Sequence, residues 1–112
     1  MGAHRIAALQ MRSGVEPAAN LAALEGLVAE ATAAGAQYLL SPEVTVVFAE
    51  NREGLSRAAG PYAENPALAQ IAEMARRHRV TLHLGSLAVL LPDGHFANRR
   101  VLFGPDGEVV AS

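Results

Sequence analysis

The sequence contains no cysteine. That absence removes a disulfide framework, a thiolate metal site and a cysteine nucleophile from these residues. Charge is scarce too: 18% of residues are Asp, Glu, Lys or Arg, and the formal net charge is −2. The one basic block is Arg76-Arg77-His78-Arg79, and there is no acidic tail. Nucleic-acid binders carry a basic footprint, so no nucleic-acid partner is expected. No apolar stretch approaches the roughly 20 residues of a membrane helix, and Gln10 and Arg12 break the first apolar run before it could form a signal-peptide core. The expectation is a soluble, cytoplasmic protein with no membrane partner.

Apolar residues are plentiful. They make up 51% of the 112 residues, a composition opposite to that of disordered chains. The length fits one domain or part of one, and the apolar excess implies more apolar surface than so short a chain hides alone.

Ile6 to Gln10 reads as a short buried strand, ended by Ser13-Gly14. Pro17 suits the first turn of a helix, where its missing N–H is not needed. Leu21, Leu24, Leu27, Val28 and Ala31 then recur at helical spacing, and Gly35 supplies the stop. Gln37 to Leu40 is a second short strand, closed by Ser41-Pro42 because the residue before proline is pushed into extended geometry. The stretch from Val44 to Ala63 is irregular, with a short helix expected within Asn51 to Ala59. Asn65-Pro66 is an N-cap and first-turn pair, and Leu68, Ile71, Ala72 and Ala75 form the next apolar face. The basic block falls in the last turn, where it suits the helix dipole.

Val80 to Leu91 reads as a long strand. Val80, Leu82 and Leu84 alternate, then the pattern slips to Leu87, Val89 and Leu91, which predicts a β-bulge at Gly85-Ser86. Pro92-Asp93-Gly94 and Pro105-Asp106-Gly107 are turns leading into strands at Phe96 to Phe103 and Glu108 to Ala111. The order βαβαβ, followed by two hairpin-linked strands, predicts an α/β fold with one mixed sheet: parallel first, antiparallel at the end. No helix follows the last strand, which is unexpected for a complete α/β domain.

Reacting groups in open α/β sheets gather beyond the carboxyl ends of the strands. Glu43 lies three residues past Leu40, beside Pro42 and among Val44, Val46, Val47 and Phe48. Apolar neighbours disfavour the charged form of an acid, which suits a general base. Position alone favours a solvated loop carboxylate over a catalytic one. Other candidates carry less. His4, His78, His83 and His95 lack metal-ligand spacing, so no metal is expected. Arg99-Arg100 reads as a charged guard on a strand edge before a substrate-binding pair. Ser41 and Ser86 have no base nearby in the sequence to make either a nucleophile. The absence of a glycine-rich phosphate loop leaves no cofactor to expect.

Several segments carry a resemblance. Arg5 to Met11 resembles the opening strand of nitrilase-superfamily (carbon–nitrogen hydrolase) proteins, which ends in glutamine. Tyr38-Leu39-Leu40-Ser41-Pro42-Glu43 resembles the family's apolar block followed by Pro-Glu, where the glutamate is the general base. Leu82-His83-Leu84-Gly85-Ser86 is similar to its next core strand. Asn98, Val101-Leu102-Phe103 and Asp106-Gly107-Glu108-Val109-Val110 are similar to its asparagine-bearing strand and Asp-Gly hairpin. The resemblance covers nearly the whole chain in order.

The resemblance implies a partial nitrilase-like α-β-β-α sandwich, with residues 1–112 as the amino-terminal part of the hydrolase domain, one mixed sheet and helices on one face. It implies a Glu-Lys-Cys triad of which only Glu43 is present, the lysine and cysteine coming after Ser112 in a full-length relative. It implies a small amide or nitrile as substrate, and a homo-oligomer. The 112 residues alone are then expected to be inactive. Two other readings stay open: a non-catalytic truncated paralogue acting as a binding or assembly partner, and a frameshift product without a role. With its second sheet missing, the chain is expected to dimerise, aggregate or stay molten.

Overall fold

The computed structural model describes residues 4–12, 14, 16–43 and 61–112. The helix expected within Asn51 to Ala59 lies outside them. The described residues form five strands and two α-helices: β1 (Ile6–Ala8), α1 (Pro17–Ala33), β2 (Tyr38–Leu40), α2 (Pro66–His78), β3 (Thr81–Leu90), β4 (Phe96–Phe103) and β5 (Val109–Ala111). A 3-10 turn at Tyr62–Glu64, not foreseen from the sequence, leads into α2.

The strands form one sheet in the order β1-β2-β3-β4-β5. β1, β2 and β3 are parallel, and β4 and β5 are antiparallel additions, as the element order predicts. The ladder of β1 runs one residue past the strand, since the Leu9 N–H donates to the Leu40 carbonyl at 2.8 Å. The predicted bulge is present: the β3–β4 register shifts between Leu84 and Leu87. The slip re-aims Leu87 and Val89 into the same core as Leu82 and Leu84.

Both helices pack against each other and against one face of the sheet. Leu39, Leu82, Leu84, Val101 and Phe103 are fully buried there, under Leu24 and Val28 of α1 and Ile71 and Ala75 of α2. The buried stripe of α2 is Ala67, Ile71, Met74 and Ala75, with Leu68 and Ala72 half-buried at its border. This stripe is rotated from the predicted one because Met74, at helical spacing from Ile71 and Ala67, reaches the core. The opposite face carries Ile6, Ala8, Tyr38, Leu40, His83 and Leu102 in register. Ile6 is 68% exposed and Leu40 38% exposed, so this face is open where the helix-covered one is closed.

The helix ends follow from local chemistry. The Asn65 side chain accepts the Ala67 N–H at 2.9 Å, and Pro66 occupies the first turn. α1 ends when the Gly35 N–H reaches the Thr32 carbonyl and the Ala36 N–H the Ala31 carbonyl, with Gly35 at φ +93°. α2 ends by the same pair of bonds, Arg79 to Arg76 and Val80 to Ala75, but with an arginine in the left-handed position at φ 55°. Arg76, Arg77 and His78 fill the last turn; Arg79 is the residue that stops it.

Candidate active site

The site is built where β2 leaves the sheet. The Ser41 N–H continues the parallel ladder by donating to the His83 carbonyl at 2.9 Å. At the next rung the partner changes: the Gly85 N–H donates to the Ser41 hydroxyl oxygen at 3.0 Å. Ser41 is 2% exposed, so the hydroxyl satisfies a buried donor. Pro42 has no N–H to offer, and the chain departs across β3 at this point. Glu43 follows in a turn and is exposed. The structure thus sets Glu43 at the carboxyl end of β2, where the sequence positioned it. Its apolar neighbours Val44, Val46, Val47 and Phe48 lie outside the described residues.

The loop after β1 opens at the same end of the sheet. Its Gly14 is fastened to α1 by the buried Asn20, whose amide accepts the Gly14 N–H at 2.9 Å and donates to the Gly14 carbonyl at 2.8 Å. This backbone-like pair of hydrogen bonds was not legible in the sequence. Tyr62, just before α2, lies under the Arg99 guanidinium at 3.8 Å from the ring centroid. Arg99 also donates to the Ser112 hydroxyl at 3.0 Å. Among the described residues β5 pairs only with Leu102 and Phe103, so Arg99 and Arg100 are exposed on a stretch of β4 that pairs with β3 on one side and has no strand on the other, in keeping with a guarded edge.

The histidines are dispersed. His83 Nδ1 lies 2.6 Å from the Tyr38 hydroxyl on the open face, His4 contacts Gln37 at 3.1 Å, and His95 contacts Asp93 at 3.0 Å. Among the described residues no three His, Cys, Asp or Glu side chains come together as a metal site, and no helix is long and apolar enough to cross a membrane. Ser86 is buried at the bulge, and Ser41 is engaged with Gly85. From the sequence, Ser41 read as the end of a strand and as a weak nucleophile candidate, and this contact was missed. The available signal was a glycine, Gly85, in the strand that follows the Ser-Pro break.

The described residues form a mixed α/β sheet covered by helices on one face, with the Glu43 carboxylate just past its second parallel strand. Comparison with known proteins identifies it: the carbon-nitrogen hydrolase profile matches residues 5–112, and the chain belongs to that family. The deaminated glutathione amidase of Yersinia enterocolitica is 29% identical over 108 residues, covering 95% of this chain and 37% of that protein. The NitFhit protein of C. elegans superposes with a TM-score of 0.85 at 25% identity, over 96% of this chain and 26% of its own. An amidase from Nesterenkonia sp. AN1 superposes at 0.80 and 26% identity, over 97% of this chain and 42% of its own; it was solved as a Glu-to-Gln mutant carrying acrylamide at its active-site cysteine. The chain therefore spans less than half the length of each.

Proposed function

We propose that these residues supply the general base, Glu43, to a cysteine-dependent carbon–nitrogen hydrolase acting on a small amide or nitrile. The observation that carries this reading is the family match over residues 5–112, within which Glu43 is the exposed acid that ends the Pro-Glu turn after β2. The Nesterenkonia amidase supports it, since that protein pairs an active-site cysteine with a glutamate worth replacing by glutamine.

In this reading Glu43 takes the thiol proton as sulfur attacks the amide or nitrile carbon. A lysine and neighbouring donors hold the charge that develops on the substrate. For an amide, the C–N bond breaks as the glutamic acid returns its proton to the departing nitrogen. Water, deprotonated by the same carboxylate, then cleaves the thioester to a carboxylic acid and free thiol. The sequence has neither lysine nor cysteine, so both groups come from outside these 112 residues.

The test begins with the coding DNA beyond codon 112. A reading frame that supplies a lysine and a cysteine gives a polypeptide to assay for ammonia release from small aliphatic amides and nitriles. Activity there, lost in Glu43→Gln and absent from the 112-residue chain, is the expected result. Cysteine-independent hydrolysis by the 112-residue chain would sink the reading. A translated product that ends without a cysteine would favour the other role, a non-catalytic binding or assembly partner.

A further inference from the structure

We propose that Ser41 and Gly85 form a latch that positions Glu43, an inference that rests on Glu43 acting as the base. The argument starts from the ladder between β2 and β3. In regular parallel pairing, the Gly85 N–H would donate to the backbone carbonyl of Ser41. It donates instead to the Ser41 side-chain oxygen, at 3.0 Å. The serine hydroxyl therefore accepts the N–H at the last rung of the sheet. The chain can then turn out of the sheet plane at Pro42, one residue before the glutamate.

Gly85 makes the other half of the latch. A β-carbon there would lie 2.2 Å from the Ser41 carbonyl oxygen and 2.4 Å from the Pro42 carbonyl oxygen. Both are backbone atoms, which cannot swing aside as the end of a side chain can. The Ser41-Pro42 segment passes directly over the Gly85 backbone, and only a residue without a side chain leaves room for it. The β3 bulge, whose register shift begins just before Gly85, sits at the same crossing. The exit of β2 is thus held at Gly85 by a hydrogen bond and by a close backbone contact. Glu43 is adjacent to both, and a small displacement of a catalytic base is expensive in rate. Ser41 and Gly85 are positioning residues: neither needs to touch substrate.

The 112-residue chain gives the first readout, by NMR. Ser41→Ala should speed exchange of the Gly85 amide roughly tenfold and weaken the cross-peaks between Gly85 Hα and the Pro42-Glu43 segment. The Leu82 amide should stay protected, and Ser41→Thr, which keeps the hydroxyl, should restore both signals. In the polypeptide that carries the nucleophilic cysteine, Ser41→Ala should lower kcat by about tenfold or more at nearly constant KM, and Ser41→Thr should recover most of it. Gly85→Ala should lower kcat further. Should it fail to fold, the serine pair still decides. Unchanged Gly85 exchange in Ser41→Ala, or equal losses of kcat in Ser41→Ala and Ser41→Thr, overturns the latch. If Glu43→Gln abolishes turnover while Ser41→Ala is as active as the wild type, the latch fails and the base reading stands. If Glu43→Gln is as active as the wild type, the base reading fails and takes the positioning role with it.

Discussion

Tyr38 and His83 meet edge-on across the β2–β3 pair, with ring centroids 6.0 Å apart, planes at 89° and the tyrosine hydroxyl 2.6 Å from Nδ1. They lie on the open face of the sheet, on neighbouring strands, where the register sets Tyr38 opposite Thr81 and Leu40 opposite His83. This polar pair ties β2 to β3 just before β2 leaves the sheet toward Glu43. Tyr38→Phe keeps the edge-to-face contact and removes only the hydroxyl. We expect a loss of about 0.5–1.5 kcal/mol, read from the urea midpoint. A midpoint equal to that of the wild type would mean the hydrogen bond contributes nothing to stability.

The left-handed Arg79 at the end of α2 predicts a gain. A side chain in this conformation costs roughly 1–2 kcal/mol, which glycine avoids. Glycine gives back about 0.5–1 kcal/mol through its freer unfolded chain. Arg79 is exposed, and Arg76 and Arg77 remain in the last turn to face the helix dipole. Arg79→Gly should therefore raise stability by about 0.5–1 kcal/mol. A lower urea midpoint would show that Arg79 makes a stabilising contact outweighing its backbone strain.

Much of this architecture was legible in the residues because each cue was local. Asn65-Pro66 fixed the start of α2 through a side-chain cap, and the change of alternation from Leu84 to Leu87 located the bulge. Glu43 could be assigned to a strand end because proline follows Ser41. The misses are side-chain-to-backbone contacts and a backbone dihedral. Ser41 and Gly85 are 44 positions apart, and no periodicity announces that a hydroxyl will accept a ladder N–H. Asn20 went unread because its partner is loop backbone, which sequence patterns do not display. Arg79 was grouped with the basic last turn because charge is visible in a sequence and a positive φ is not.

Two exposed carboxylates should titrate below their ordinary range. Asp93 is held down first by the His95 backbone N–H, which it accepts at 3.0 Å, and then by the His95 ring. Glu73 is held down by the hydrogen bond from Arg76, with the charges of Arg76 and Arg77 adding to it. A depressed folded-state value means that the stabilising contribution is complete above the ordinary carboxylate range. It is lost as pH falls from about 4 through the folded-state values. Carboxyl carbon shifts followed by NMR between pH 6 and pH 2, on the order of ten points, should give lower midpoints for both than for unfolded-peptide references. Asp93→Asn should flatten its share of the acid limb of stability. A midpoint at or above the reference would contradict the turn geometry around His95.

The open face of the sheet leads to the last expectation, that the isolated chain associates. Ile6 and Leu40 project on the side opposite the helices, together with Ala8 and Leu102, and no described element covers them. The helix-side core is closed, so association need not disturb it. Burying a fully exposed aliphatic side chain contributes about 1.5–3 kcal/mol, so covering what is left exposed of Ile6 and Leu40 together is enough to shift a weak dimerisation by about tenfold. Sedimentation equilibrium should therefore show a weight-average mass that rises with concentration. The double variant Ile6→Thr, Leu40→Thr should move that rise to concentrations about tenfold higher, because threonine keeps the strand propensity and removes most of the apolar area. A concentration-independent monomer mass, with sharp NMR lines and cooperative unfolding, would show that the chain tolerates this face in water and that self-association is not driven by it.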